Sequence, residues 1–497
     1  MLFNSLGYLT FLAFGTAIHW SLPQRARMFF LATASFVFYA MWRWDFGLLL
    51  LFSALIDFLC ASKISLSKKP ATRKAWLLLS LCTNIGLLIF FKYTYFIVDN
   101  IRSLGNATGL DGMAHFDPGL TIVLPLGISF YTFQTISYTI DVYRKVIQPT
   151  KRFITFFTFV SFWPQLIAGP VLRADEVIPQ LEGERKRDAR MFSSGLLLVI
   201  VGLFKKVVIA DNIAPMVDFW FTQDASALTA IDIWVAAFLF GFQIYCDFSG
   251  YSDIAIGSAR ILGFDFPDNF QWPYMARSPR EFWKRWHISL SSWIRDYLYL
   301  PLTGEKYGTH STEGIGVAGE HGQKSTTGWR WNRALILTWL IMGLWHGAAW
   351  TFVLWGLFHG IVILVYRVSP RLQELTKKHA IVAWMLMLAT VMAAWIPFRA
   401  LSVEQTLEMF ARILDPFAYR ISTQVMALSS RLAGYSYLWA FLLTIGMVSA
   451  WRLNQWREKQ NTIGIAAFAA MTLGVAVMVC MILVYLDVDT QFIYFQF

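Results

Sequence analysis

Apolar runs close to 20 residues long recur from one end of this chain to the other, near 2–20, 28–43, 45–62, 76–98, 120–140, 153–172, 193–216, 228–249, 334–365, 381–400, 436–452 and 463–486. About 20 apolar residues is the length at which a helix crosses the hydrocarbon core of a bilayer. In lipid the backbone must satisfy its own hydrogen bonds, so such runs have to be helical. The charge content agrees, since 15% of the residues are charged against about 25% in a soluble domain. No polar stretch is long enough to bury a core of its own, so residues 1–497 read as one integral domain. The expected fold is an all-α polytopic membrane protein.

The net charge of +11 is carried mostly by short loops. That points to topology and away from nucleic acid, because basic loops stay in the cytoplasm. The basic clusters are Lys63–Lys74, Arg144–Arg152, Arg185–Arg190, Arg367–Lys378 and Arg452–Lys459. Alternation then puts the N-terminus outside, together with the loop 99–118 and its Asp99, Asp111 and Asp117. The opening MLFNSLGYLTFLAFGTAIHW lacks a basic n-region and a clear cleavage site, so it reads as a retained first span.

Strict alternation fails at 153–172, which has basic loops on both sides. This run contains FWPQLIAGP, whose Pro164, Gly169 and Pro170 break helices. A re-entrant segment that enters and leaves on the cytoplasmic side resolves the conflict. Such backbone is tolerated at membrane depth only inside protein or along a wet cavity. The run 334–365 has basic flanks too and is expected to behave in the same way. Cys60, Cys82, Cys246 and Cys480 are scattered in apolar segments and read as free thiols, with no metal site. Residues 303–333 are rich in Gly, Ser and Thr and read as a mobile loop, with His310 and His321 solvated. No internal repeat is visible, which removes one pointer to the common transporter folds.

Two stretches stand out chemically. Arg280 to Leu302, REFWKRWHISLSSWIRDYLYLPL, places dense charge beside dense aromatic surface. On one helix, Arg280, Lys284, His287, Ser291 and Arg295 would form a polar stripe, opposite Phe282, Trp286, Trp293 and Tyr297. Pro279 suits the helix start, and Glu281 can pair with Arg285 one turn on. An interfacial helix would have this pattern, as would the lining of a pocket for an anionic ligand. The second stretch, GLWHGAAWTFVLWGLFHG (343–360), puts His346 inside an apolar run between Gly343 and Gly347. The two glycines allow close approach of a helix or a substrate. An imidazole there either bonds across helices or serves as a general base. His359 falls roughly 140° around an ideal helix from His346 and reads as packing. Asp247 and Asp253 read as buried polar groups bonded across helices or to Arg residues, and Asp141 with Arg144 as a structural pair. No GxSxG motif is present, which argues against a serine hydrolase.

EFWKRWHISLSSWIRDYLYLPL followed by LWHG closely resembles the membrane-bound O-acyltransferase family, most of all its alginate O-acetylation branch. LPLGISFYTFQTISYTIDVYR (124–144), LIAGPVLR (166–173) and FQIYCDFSGYSDIAIG (242–257) agree with it. The resemblance covers about residues 1–400, is specific in 120–365, and leaves 401–497 as extra C-terminal spans. It implies a ring of about 11–13 transmembrane and re-entrant helices around a tunnel, with a cytoplasmic funnel. It implies His346 and His287 as the catalytic pair. It implies Lys284, Arg285 and Ser291, with Trp283 and Trp345, as substrate-binding residues, together with Gln243, Tyr245 and Asp253 beside the tunnel. The oxyanion donor stays open between His287, a Trp indole and a backbone amide. Residues 305–328 look longer than the matching loop in the alginate relatives, either as a gate or as an inert insertion.

The expected function is passage of an acetyl group from a cytoplasmic thioester, such as acetyl-CoA, across the bacterial inner membrane for O-acetylation of an exported polysaccharide. A periplasmic acetyltransferase is the expected partner, and no bound cofactor is expected. D-alanyl transfer, peptidoglycan O-acyl transfer and a non-enzymatic polysaccharide exporter are the alternatives.

Overall fold

The computed structural model describes residues 3–166, 169–305, 328–420, 430–458 and 465–485. The 303–333 loop, with His310 and His321, lies for the most part outside them. Every regular element among the described residues is helical. Among the described residues, seven helices are long and apolar enough to cross a membrane: Trp44–Leu66, Pro70–Thr108, Ala189–Phe221, Ala230–Ile261, Trp350–Val368, Ala380–Arg399 and Gly434–Glu458. Shorter helices such as Leu6–Ser21, Gln24–Ala40 and Ile128–Arg144 pack with them. Part of the 99–118 loop is helix after all, running to Thr108 and ending where Gly109 turns left-handed at φ +71°. A glycine there avoids the Cβ clash that such a turn imposes on other residues.

The most apolar stretch of Ala230–Ile261 is 72% buried, against 17% for that of Pro70–Thr108. The first is therefore a central post and the second a peripheral, lipid-facing helix. Ala230–Ile261 packs antiparallel on Ala189–Leu203 through glycines. A Cβ on Gly202 would strike the carbonyl of Gly250, and one on Gly195 would strike that of Gly257. Small residues let backbones approach this closely where lipid supplies no hydrophobic drive.

Charge is buried along the same interface. A π-helical turn, Phe204–Ala210, carries consecutive lysines. Lys205 Nζ lies 2.7 Å from Asp253, and Lys206 Nζ lies 2.6 Å from Asp247 and 2.7 Å from Asp211. Residues adjacent on an α-helix point about 100° apart. The widened turn brings both ammoniums against one neighbouring helix. Asp247 and Asp253 are thus bonded across helices, as expected, and their partners are lysines. Asp141 and Arg144 meet differently from the expected pair. Asp141 accepts a 2.6 Å bond from Tyr297 Oη, and the Arg144 guanidinium lies over the Tyr297 ring.

The segment 153–172 does turn back. Its helix Phe153–Ser161 has 9 residues, about 14 Å of rise and too short to span. Before it, Thr150 Oγ1 donates to Glu182 Oε1 beyond it at 2.8 Å, so the chain returns to the level where it began. Around the break, Trp163 N–H donates to Ser35 and Val171 N–H to Ser289, both inside the protein. The run 334–365 is also folded back. It forms two helices, Trp329–His346 and Trp350–Val368, packed antiparallel with Gly343 against Gly356 and Phe352. Four of the basic clusters lie close together: Arg73 bonds Tyr143 O beside Arg144, Thr150 bonds Glu182 just before Arg185, and Arg144 and Arg367 contact Tyr297 and Tyr299.

Candidate active site

The Arg280–Leu302 stretch is not one helix. Ser278 caps Pro279–Arg285, with its Oγ accepting Glu281 N–H at 3.2 Å and proline in the first turn. Glu281 and Arg285 pair at 2.8 Å, as their spacing predicts. The helix stops at Trp286. His287 turns left-handed, at φ +44°, before a second helix, Ile288–Ile294. Positive φ is uncommon outside glycine, though histidine tolerates it better than most residues. The polar stripe drawn through a continuous helix therefore does not exist. Lys284 is exposed, and Arg285 is engaged with Glu281 and Gln271 O. Ser291 is buried and bonds Trp286 O.

The break is held by a loop 18 residues upstream. Ile288 N–H donates to Asn269 O and Gln271 N–H to Arg285 O, both at 2.9 Å. The Asn269 side chain then fixes the imidazole. Its Oδ1 accepts from Ser289 N–H at 3.3 Å and from Ser289 Oγ at 2.8 Å, and its Nδ2 donates to Ser252 at 3.1 Å. A backbone N–H can only donate, so the amide orientation follows. His287 Nδ1, 3.1 Å from the same Oδ1, must then carry a proton. Nε2 is left with a lone pair and has no partner among the described residues. The ring is 0% exposed, with Phe248 edge-on at 4.6 Å and Phe270 and Phe130 further out.

His346 is the last residue of its helix and is 4% exposed. Trp345 and Trp355 stand edge-on to its ring at 4.9 and 4.8 Å, with Phe398 at 5.4 Å. His287, Lys92 and His359 are among the titratable groups around it. Phe130 connects the two sites, lying 5.9 Å from Trp345 and 6.4 Å from His287. His359 does pack, among Trp283, Trp339 and Trp355. Because the chain folds back after Gly347, the Trp355 ring lies 4.8 Å from His359 as well as from His346.

The other residues singled out from the sequence divide in two. Trp283 and Trp345 are buried in the aromatic wall around the imidazoles, each with an indole N–H lacking a partner among the described residues. Tyr245 packs on Phe270 and Trp286, both neighbours of the His287 break, and Gln243 keeps a buried Oε1 with no described partner. Asp253 is occupied by Lys205. Sequence reasoning missed Asn269, Trp355 and Lys92. It also missed the pair of Arg173, in LIAGPVLR, with Asp296 at 2.5 Å. Asn269 sits in FPDNFQW beside the polar Asp268 and Gln271, so nothing local set it apart.

Helices that cross or re-enter a bilayer, with two imidazoles buried at helix breaks among aromatic rings, define a multi-pass membrane protein with an internal polar site. Residues 148–313 match the model of MBOAT, the membrane-bound O-acyltransferase family. The chain is 38% identical over 417 residues to the probable alginate O-acetylase AlgI of Azotobacter vinelandii, covering 84% of this chain and 78% of the relative. It is 37% identical to the peptidoglycan O-acetyltransferase of Helicobacter pylori, over 76% and 72% of the two chains. It is 29% identical to the teichoic acid D-alanyltransferase of Streptococcus thermophilus, over 48% and 56%. The chain belongs to the membrane-bound O-acyltransferase family and is an O-acyltransferase.

Proposed function

We propose that the protein passes an acetyl group from a cytoplasmic thioester, such as acetyl-CoA, toward a hydroxyl on the far side of the bacterial inner membrane, for O-acetylation of an exported polysaccharide. The observation that carries this reading is the pair of buried imidazoles, His346 at a helix terminus and His287 with a fixed tautomer. The alginate O-acetylase relatives, matched over more of the chain than the D-alanyl transferase, favour acetyl over D-alanyl. The clustering of basic loops supports a cytoplasmic donor side and an outer N-terminus. The immediate acceptor is a periplasmic acetyltransferase that carries the group to the polymer.

In this reading His346 accepts the hydroxyl proton as the oxygen attacks the thioester carbonyl. The tetrahedral oxyanion then collapses, the ester forms, and the thiolate leaves with the proton returned by the imidazolium. His287 presents a lone pair at Nε2, so its neutral form accepts a hydrogen bond and does not donate one to the oxyanion. That task falls to the indole N–H groups of Trp345 and Trp355, which flank His346 and have no partner among the described residues.

The test is ester-linked acetate on the exported polysaccharide of the native host. A deletion strain complemented with wild type is compared with one carrying His346→Ala at equal membrane abundance. Loss of acetate with polymer still secreted supports the relay over an exporter. Acetate retained by His346→Ala removes His346 as the base. Acetate unchanged in the deletion strain itself removes acetyl transfer to that polymer.

A further inference from the structure

The Trp329–His346 helix ends inside the protein, and its last four carbonyls have no helical partner of their own. Gly347 follows in an extended conformation, at φ −154°, without the left-handed turn that commonly closes a helix. Its N–H reaches Gly343 O at 3.4 Å. The other three carbonyls are taken by the neighbouring Pro70–Thr108 helix. Tyr93 Oη donates to Leu344 O at 2.9 Å, while Lys92 Nζ donates to Trp345 O at 2.6 Å and to His346 O at 2.9 Å. Lys92 and Tyr93 occupy a π-helical turn, Ile89–Tyr93, which lets two consecutive residues face the same helix end. Turns of this kind concentrate at functional sites.

An ammonium at membrane depth is expensive and marks a role. Lys92 makes no ion pair among the described residues, and its charge meets the negative end of a helix dipole. Such charge-assisted bonds are about twice as strong as neutral ones. The same ammonium lies 5.8 Å from the Trp345 ring, which is edge-on to His346.

We propose that Lys92 is a positioning residue, whose ammonium clamps the terminal turn of this helix and holds the His346 imidazole in register for proton transfer. This rests on the reading of His346 as the base. Structural support alone would be served by any good cap. A clamp on the carbonyl of His346 itself fixes the backbone from which the imidazole projects.

The test uses the full-length chain in membranes of the native host, with radiolabelled acetyl-CoA as the donor probe and polymer-bound label as the readout. Lys92→Met is expected to lower kcat about 30-fold while leaving the apparent KM for acetyl-CoA within about 3-fold, the pattern of a misplaced base. Lys92→Arg keeps charged donors and is expected to stay within about 3-fold of wild type. A wild-type kcat in Lys92→Met overturns the clamp. So does a raised KM at unchanged kcat, which would put Lys92 on the donor. Should Lys92→Met fail to accumulate, Lys92→Gln carries the comparison: an intermediate kcat supports the clamp and a wild-type one overturns it. His346→Ala separates the two levels. Transfer retained there overturns the base and the clamp together, whereas an inactive His346→Ala beside a wild-type Lys92→Met overturns the clamp alone.

Discussion

The side-chain oxygen of Asn269 holds the His287 ring in one tautomer, with Nδ1 protonated and Nε2 open. The arrangement is cooperative. Val171 N–H donates to Ser289 Oγ at 2.9 Å, and Ser289 Oγ donates to Asn269 at 2.8 Å. The re-entrant segment, the post Ala230–Ile261 (through Ser252) and the helix break thus share one hydrogen-bond chain. Asn269→Ala removes the acceptor for both Ser289 and His287. Transfer is expected to fall about 10- to 100-fold, the equivalent of roughly 1–3 kcal/mol in an oriented hydrogen bond. Ser289→Ala, which leaves the ring contact in place, is expected to cost only several-fold. Polymer-bound acetate at matched membrane abundance checks both.

The backbone at His287 allows chemistry to be separated from folding. Asparagine tolerates positive φ at least as well as histidine, and a β-branched residue does not. His287→Asn is expected to accumulate like wild type and lose about 100-fold or more in transfer. His287→Val is expected to reduce the amount of folded protein in the membrane as well. Equal accumulation of the two variants would remove strain at this position from the account.

Close backbone contact sets a second limit. A side chain at Gly343 would strike the Phe352 carbonyl, while one at Gly434 meets nothing within 4 Å. Gly343→Val is expected to lower the unfolding temperature in detergent and the membrane yield, by an overpacking penalty of about 1–3 kcal/mol or more. Gly434→Val is expected to leave both within error of wild type.

The lysine–carboxylate cluster should behave as a buried ion pair does. Lys206 is 1% exposed, and Lys206→Met strands the carboxylates of Asp211 and Asp247 without their cation. A loss of about 3–5 kcal/mol is expected. The triple change Lys206→Met, Asp211→Asn, Asp247→Asn removes the charges together and is expected to recover much of that loss. Thermal unfolding of the purified chains reads the difference.

Much of this was legible from local pattern. The apolar runs, the helix-breaking FWPQLIAGP, the Glu281–Arg285 spacing and the odd imidazole in LWHG all express themselves within a few residues. What stayed hidden was tertiary. Nothing in RWHIS announces a left-handed histidine, because the conformation is held by Asn269 from another loop. A helical wheel drawn through 280–295 therefore put exposed Lys284 and buried His287 on one stripe. Lys92 gave no sign of its partner, since the carbonyls it bonds lie 253 and 254 positions away. The π turns at Ile89–Tyr93 and Phe204–Ala210 shift which residues share a face, and apolar periodicity is too coarse to register one added residue.

The bonded lysines and aspartates of Ala189–Phe221 and Ala230–Ile261 also bear on how the chain enters the bilayer during synthesis. Presented singly to the translocon, each segment would expose charges that cost about 2.5–3.5 kcal/mol apiece near the helix centre. As a hairpin, the two neutralise one another before meeting lipid. Release from the insertion machinery is therefore a joint event for the pair.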